Sequence, residues 1–211
     1  MKLPSCLVAL LLGCTNLFAQ DLSPLRNALE KQQSYKTVSV DVRQTKKSPA
    51  LAEETKLKGH LWLKPGEAFR WELGSPPEQI AVYDGSTLVF LDEKKKTAKK
   101  VDSDDRKAKP LFLMLGFGDG ASFSEIEENF SVNGTNTVDE HFIVSLSPKG
   151  SLRRGIKSLV MQVNTKTSFI ERIEFVQKDG TKVVTEFYPP KINGGIPASN
   201  FDVKAEGYTW E

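Results

Sequence analysis

Short runs of alternating apolar and polar residues dominate this chain of 211 residues. Val38, Val40 and Val42 alternate with polar side chains, for example, and similar runs recur along the sequence. A period of two is typical of β-strands with one buried face. Turn dipeptides such as Asp84–Gly85 and Asp179–Gly180 separate consecutive runs, which indicates hairpins. The pattern therefore predicts a large antiparallel sheet.

Helical signals occur in two places. Ser23 and Pro24 are typical of a helix start, and leucines at helical spacing predict an amphipathic helix over residues 23–34, with Ser23 as its cap. In the middle of the chain, residues 111–115 are apolar on every side, and residues 122–129 predict a second, polar helix. An all-apolar helix must be covered on more than one face.

The order of elements is one helix, about five strands, a helical insert and five or six further strands. For the strands after the insert we expect spans of 130–133, 137–147, 156–164, 168–177 and 181–188, with a last short strand around Phe201 and Val203. This order predicts a mainly β fold with helices (α+β). We expect one curved antiparallel sheet of about 10–11 strands, open or closed as a barrel, with helices packed in its mouth.

The N-terminus has the pattern of an export signal: Lys2 precedes the apolar residues 7–12, and Ala19 offers a small residue for cleavage. Residues 1–19 are thus predicted to be a signal peptide, and residues 20–211 one domain without cysteine. Residues 11–14 also resemble the lipobox of bacterial lipoproteins, which would leave a lipidated Cys14. The apolar segment that follows Cys14 favours release over lipidation.

Composition argues against several classes of protein. The 29 basic and 27 acidic residues nearly balance, which does not favour a nucleic-acid-binding protein, and two His with two Cys leave little material for a metal site. We find no serine elbow, zinc motif, EF-hand or phosphate-binding loop. The sequence therefore predicts no enzyme, no metal and no cofactor.

Two features allow both a structural and a functional interpretation. The lysines between Lys94 and Lys100 could dock on anionic head groups, or form a solvated hairpin tip that protects the sheet edge. Apolar side chains in excess could fill a simple core or line a ligand cavity; they are Leu25, Leu29, Phe69, Trp71, Phe90, Phe112, Met114 and Phe117.

Residues 59–72 (GHLWLKPGEAFRWE) resemble the LolA family of periplasmic outer-membrane lipoprotein carriers. The resemblance continues through residues 82–88 (VYDGSTL), residues 110–115 (PLFLML) and the ending at residues 196–201 (IPASNF), and residues 42–44 (VRQ) also fit. It covers nearly the whole chain after the signal, and it is most specific between residues 59 and 91.

The resemblance implies an incomplete antiparallel barrel whose apolar concave face is covered by short helices and receives lipoprotein acyl chains. It further implies loading by an ATP-driven inner-membrane ABC transporter, delivery to an outer-membrane receptor if one is present, and a periplasmic, monomeric protein that binds no nucleic acid.

The resemblance also assigns roles to residues. Phe69 matches an aromatic residue implicated in loading and transporter contact, and Trp71 matches a cavity-lining tryptophan. The positions that match the cavity and lid are Leu25, Leu29, Phe90, Leu111, Phe112, Met114 and Leu115. At the position of Lys64, family members often carry an arginine, which helps to hold the lid. Lysine keeps its charge but not its planar fork of donors.

Two alternatives share this architecture. One is a receptor-type relative anchored to the outer membrane through Cys14. The other is a half-barrel module that senses lipid or lipoprotein for a membrane-bound signalling partner.

Overall fold

The computed structural model describes residues 20–102, Phe112 and residues 123–211. Thirteen strands in these ranges form one sheet. They are β1 (Val38–Lys47), β2 (Thr55–Lys64), β3 (Ala68–Leu73), β4 (Gln79–Tyr83), β5 (Leu88–Asp92), β6 (Thr97–Val101), β7 (Phe130–Val138), β8 (His141–Pro148), β9 (Ile156–Asn164), β10 (Phe169–Gln177), β11 (Lys182–Phe187), β12 (Lys191–Ile192) and β13 (Thr209–Trp210).

The sheet is open, with the order β13-β6-β5-β4-β3-β2-β1-β11-β10-β9-β8-β7 and the short β12 paired to the start of β1. All pairings are antiparallel except that of β13 with β6. The two halves of the chain meet where β1 pairs with β11, with Val42 opposite Phe187. This arrangement confirms the predicted fold class. Eleven strands are five residues or longer, and the two-residue strands β12 and β13 account for the higher count.

Two helices are described in full, α1 (Ser23–Gln33) and α2 (Phe123–Asn129), close to their predicted spans. Ser23 does not cap α1. Leu22 occupies the cap position without a side-chain bond, and the Asp21 carboxylate accepts from the Ser23 backbone N–H at 2.9 Å instead. The helix ends at Gln33, and the backbone N–H of the next residue, Ser34, donates to the Glu30 carbonyl at 3.2 Å.

Helix α1 lies across β8, β9 and β10 and also contacts α2. Lys31 Nζ donates to the Thr167 carbonyl at 2.9 Å, and the Arg26 guanidinium lies 4.2 Å from the centre of the Phe123 ring. These contacts hold the helix on the C-terminal half of the sheet. We call the face that α1 covers the inner face and the opposite one the outer face.

Two expectations about strands were wrong. A strand was expected to begin at residue 137 and continue through 147, but β7 runs without a break to Val138 and a turn precedes β8. Asp139 adopts a φ of 53° there, a left-handed conformation that aspartate tolerates better than most residues. A last strand was expected around Phe201 and Val203, where the chain instead forms a 3₁₀ helix (Ala198–Phe201) and then an irregular segment.

The buried apolar residues form three clusters. The helix cluster comprises Leu25, Ala28, Leu29, Phe123, Ile126, Phe130, Phe142, Val144, Leu146, Leu152, Leu159, Met161, Val163, Ile170 and Ile173. The aromatic cluster comprises Val38, Val40, Val42, Leu61, Leu63, Phe69, Trp71, Leu73, Ala81, Leu88, Val101 and Phe112, with Tyr35, Leu57, Tyr83, Phe90, Phe169 and Phe187 partly buried beside it. The outer cluster comprises Ile80, Val82, Val89, Leu91 and Ala98, covered by Val203, Ala205 and Tyr208.

Among the residues that the structure describes, no helix combines the length and the apolar character needed to cross a membrane.

Candidate functional site

A cleft on the inner face separates the helix cluster from the aromatic cluster. Its volume is about 330 Å³, including the part that is open to solvent. The lining residues come from both clusters and are apolar except for one amide: Gln32, Val38, Val40, Leu61, Leu63, Phe169, Ile170, Ile173 and Phe187. The lining therefore offers hydrocarbon contacts and no charged side chain.

Strand register explains why these residues share one wall. Val40 lies opposite Leu61 on β2, and Leu61 lies opposite Trp71 on β3. Because side chains alternate between the two faces of a strand, directly paired residues point to the same side of the sheet. A continuous apolar row thus runs from β1 toward the aromatic cluster.

Phe69, Tyr83 and Phe112 form an aromatic contact group at the N-terminal side of the cleft. The ring centres of Phe69 and Phe112 are 6.0 Å apart at 75°, and those of Tyr83 and Phe112 are 5.0 Å apart at 89°. Such edge-to-face pairs add about 0.5–1.5 kcal/mol to the burial of the rings. Phe112 is helical and 6% exposed. A residue of the predicted lid thus lies against Phe69.

Trp71 occupies the middle of β3 and is 4% exposed. Its ring makes an edge contact with Phe187, with centres 6.0 Å apart at 80°. The Nε1–H group is buried, and it donates no hydrogen bond within the described residues.

The residues predicted to line the cavity separate into two groups. Phe69, Trp71, Phe90 and Phe112 come together in or beside the aromatic cluster. Leu25 and Leu29 instead pack in the helix cluster, where both are buried and lie with residues of β8, β9 and β10.

Lys64 lies apart from both groups. It follows Leu63 on β2, so its side chain points to the outer face, and its Nζ lies 5.2 Å from the centre of the Phe201 ring. Phe201 belongs to the 3₁₀ helix near the C-terminus. The structure therefore places Lys64 against the tail, away from Phe112.

Several predictions lie outside the described residues. They are the signal peptide over residues 1–19 with its alternative lipidation at Cys14, and the proposed lid residues Leu111, Met114 and Leu115.

A serine, a histidine and an aspartate are hydrogen-bonded on the outer face of the sheet. His60 Nδ1 lies 2.7 Å from Asp41 Oδ1, and His60 Nε2 lies 2.8 Å from Ser39 Oγ. A serine–histidine–aspartate group acts on a substrate held beside it. Here the Asp41 side chain is 77% exposed, and the cleft lies across the sheet on the inner face.

The predicted lysine-rich hairpin tip is confirmed between β5 and β6, and its lysines have acidic partners. Lys94 Nζ lies 2.7 Å from Glu78, and Lys96 Nζ lies 2.6 Å from Glu93. Within the described ranges, no group of three or more His, Cys, Asp or Glu side chains could hold a metal ion.

None of the nine residues that line the cleft is among those predicted to line the cavity. Phe169 and Phe187 line the cleft from the C-terminal half of the chain, and Gln32 lines it from the polar part of a helix. An alternating pattern locates strand faces, but it does not show that β11 pairs with β1, more than 130 residues earlier in the chain.

Comparison with known families gives one match over most of the chain. The model of the family described as outer membrane lipoprotein carrier protein LolA matches residues 33–204. An outer-membrane lipoprotein carrier protein from Chromohalobacter salexigens is 28% identical over 144 residues, which cover 68% of this chain and 64% of that protein. The matched part therefore spans less than two thirds of that relative.

Solved structures with similar folds have little sequence in common with this chain. An uncharacterized conserved protein from Thermus thermophilus superimposes with a TM-score of 0.53 at 11% identity, covering 90% of this chain and 98% of its own. A proposed outer membrane lipoprotein-sorting protein domain from Vibrio parahaemolyticus gives 0.50 at 9% identity, with 85% and 95% covered. At these identities the similarity supports the fold alone.

Proposed function

Since the chain belongs to the family of the outer membrane lipoprotein carrier protein LolA, we propose that it is a periplasmic lipoprotein carrier. It takes lipoproteins from an ATP-driven inner-membrane ABC transporter, shields their acyl chains against the inner face of the sheet, and delivers them to the outer membrane. An outer-membrane receptor, where one is present, accepts the cargo.

The observation that carries this proposal is the position of the cleft. It lies between two separately packed clusters on a sheet whose edges β7 and β13 do not pair with each other. An interior divided in this way can widen between the clusters, whereas a single interdigitated core loses contacts throughout when it opens.

The cleft is too narrow to hold acyl chains unless it widens. Pockets of about 300–1,000 Å³ hold single drug-sized ligands, whereas the space in this cleft that a water-sized sphere can occupy is only about 20 Å³. Three acyl chains need more room, so loading requires the aromatic cluster to move away from the helix cluster. Phe112 is the described lid residue whose displacement would uncover Phe69.

Energetics explain why such a carrier needs an energy-consuming partner. Transfer of three chains of roughly 16 carbons from water releases close to 40 kcal/mol, at about 0.8 kcal/mol per CH₂. Non-covalent affinities reach only about −20 kcal/mol. A bilayer therefore holds the cargo more strongly than the cleft does, and ATP hydrolysis by the transporter supplies the difference.

The residues receive the following roles. Phe69 contacts the transporter or the incoming chains during loading, and Trp71 and Phe90 contact the bound chains. Phe112 closes the cleft together with Leu111, Met114 and Leu115. Leu25 and Leu29 hold α1 in place beside the cleft. A role for Lys64 in lid control stays a prediction.

We also propose that residues 1–19 direct export and are removed, which leaves residues 20–211 as one carrier domain. Mass spectrometry of the purified N-terminus tests this. A first residue of Gln20 supports the proposal, and a lipidated Cys14 supports the anchored, receptor-type alternative.

The function is tested by expressing the full chain in a Gram-negative host together with the inner-membrane transporter of its own organism. The carrier is then purified from the periplasm, and bound lipoproteins are identified by mass spectrometry. We expect acylated lipoproteins at up to one per carrier, and their loss when the transporter carries an ATPase-inactive substitution. A carrier without lipoprotein in both samples contradicts the proposal.

A further inference from the structure

Trp71 carries a buried hydrogen-bond donor without an acceptor. The indole ring is 4% exposed, and no described residue accepts from Nε1. The other two tryptophans differ: Trp62 is half-buried on the outer face beside His60, and Trp210 is 54% exposed. Both can reach water. The orphaned donor is therefore peculiar to the tryptophan of the aromatic cluster.

An unpaired buried donor destabilises the protein that contains it, and native structures contain few of them. A phenylalanine at position 71 would contribute a buried aromatic ring without this cost. The presence of tryptophan is explained if the N–H group finds its acceptor in another state of the protein, and the loaded state is the one in which this region gains a new neighbour.

The position of Trp71 gives a guest access to the indole. Its cross-strand neighbour Leu61 and its ring contact Phe187 both line the cleft. The indole thus lies directly behind two side chains of the cleft wall. An acyl chain that widens the cleft by displacing either side chain comes into contact with the indole.

We propose that Nε1–H of Trp71 donates a hydrogen bond to an acyl carbonyl oxygen of the bound lipid, so that the cleft selects acyl chains over alkyl chains. The inference rests on the proposed function, because it takes lipid chains as the guest. Indole nitrogen donates and does not accept, and an ester or amide carbonyl is the acceptor that every acyl chain of a lipoprotein carries at its head.

The same chemistry argues against a free fatty acid as the preferred guest. A carboxylate buried without a cation is strongly unfavourable, and the cleft lining contains no Lys, Arg or His. The neutral carbonyl of an ester or amide satisfies the donor without bringing a charge into the apolar wall.

The experiment compares two probe lipids that differ only in the carbonyl group, 1,2-dioleoylglycerol and its ether analogue 1,2-di-O-oleylglycerol. Oleate serves as a third probe. Binding to the purified carrier is measured by displacement of a fluorescent lipid. We expect the ester to bind about tenfold more tightly than the ether, and oleate to bind more weakly than the ester.

Trp71→Phe removes the donor and keeps an aromatic ring. We expect this variant to bind the ester and the ether with nearly equal affinity, even if both affinities fall because the smaller ring buries less surface. Trp62→Phe is the matched control, since it makes the same change on the neighbouring strand but on the outer face. It should keep the full preference for the ester.

A direct measurement does not depend on the stability of the variant. In ¹⁵N-labelled wild-type protein the indole proton of Trp71 should shift downfield when the ester is added, and shift less with the ether. Equal binding of both lipids to the wild-type protein overturns the inference and leaves the carrier function standing, as does an ester preference that survives in Trp71→Phe. Failure of the wild-type protein to bind either lipid overturns both proposals.

Discussion

The two halves of the inner face are packed in different ways. On the C-terminal half, α1 and α2 cover β7 to β10, and the helix cluster consists mainly of aliphatic side chains. The aromatic cluster lies mainly on the N-terminal half and has eight aromatic residues, of which Phe169 and Phe187 reach it from β10 and β11. Five of the eight are only partly buried: Tyr35, Tyr83, Phe90, Phe169 and Phe187. Two described helices cover one half, whereas the other half carries several aromatic rings that are only partly buried.

This difference suggests a division of labour between scaffold and movable part. Leu25, on the buried side of α1, is fully buried, and Lys31 bonds the helix to the turn after β9. Trp71, by contrast, keeps an unpaired N–H group, and Phe112 contacts Phe69 and Tyr83 through ring edges. We expect substitutions in the helix cluster to change stability first, and substitutions at the cleft or in the aromatic cluster to change lipid handling first.

The strongest effect is expected from Leu25→Ala. Removal of a fully buried leucine leaves a cavity and costs about 2–5 kcal/mol of the free energy of unfolding. Urea denaturation followed by circular dichroism measures this, and Leu51→Ala, at a site that is 60% exposed, should cost less than about 0.5 kcal/mol. Lipid affinity per folded molecule should stay the same. A loss of affinity with stability unchanged would show that α1 is part of the movable cover.

The next effect is expected from Gln32→Trp, which fills the cleft between the clusters. Gln32 is half-buried and lines the cleft, whereas Gln33 is exposed on the next position of α1. We expect Gln32→Trp to weaken binding of a fluorescent acyl lipid about tenfold, and Gln33→Trp to leave it unchanged. Equal affinities for the two variants would mean that the guest does not enter along this cleft.

A smaller effect is expected when one buried phenylalanine is replaced in each cluster, and the two replacements should differ in their effect on loading. Phe69→Leu and Phe142→Leu both shorten a buried aromatic side chain, the first in the aromatic cluster and the second in the helix cluster. Each should lower the free energy of unfolding by about 1 kcal/mol. Only Phe69→Leu should reduce transporter-dependent loading, measured as the lipoprotein that copurifies with the carrier. Equal loading of both variants would remove Phe69 from the loading step.

The sequence allowed the sheet to be predicted, because alternation and turn residues are local signals. Val38, Val40 and Val42 pointed to one buried face, and that face lies in the aromatic cluster. The sequence could not locate the cleft, because the cleft depends on the pairing of β1 with β11 and on where α1 packs on the sheet. Leucines at helical spacing show that a helix buries one side, but not which half of the sheet it covers.

Two site residues also show that the sequence does not reveal which residues pack together in three dimensions. The resemblance placed Leu25 and Trp71 in one cavity, and the structure places them in different clusters. The unpaired N–H of Trp71 has no sequence signal, since hydrogen-bond satisfaction depends on every neighbour in three dimensions. The wrong expectation at Phe201 has a similar origin: apolar residues that alternate in the tail cover the outer cluster without forming a strand.

The outer cluster packs on the opposite face of the sheet only behind the aromatic cluster, and not behind the helix cluster. Its residues lie on β4, β5 and β6, behind the aromatic cluster, and the tail residue Tyr208 closes it. The Tyr208 hydroxyl donates to Glu93, and Lys96 Nζ donates to the same carboxylate at 2.6 Å. The hydrogen bond from Lys96, followed by that from Tyr208, lowers the pKa of Glu93 below its ordinary value of 4.5.

The smallest effect is therefore expected from Glu93→Gln. A carboxyl group whose pKa is lowered by folding stabilises the protein above its unfolded pKa, and this contribution disappears as the pH falls through the lowered value. At pH 7 the variant should be less stable by under about 1 kcal/mol, because the group is partly exposed. The difference from wild type should shrink as the pH falls below 4.5. Urea denaturation at several pH values measures it. Lipid affinity should not change, since Glu93 lies at a hairpin tip rather than at the cleft; a change in affinity larger than the change in stability would mean that the tail and the cleft move together.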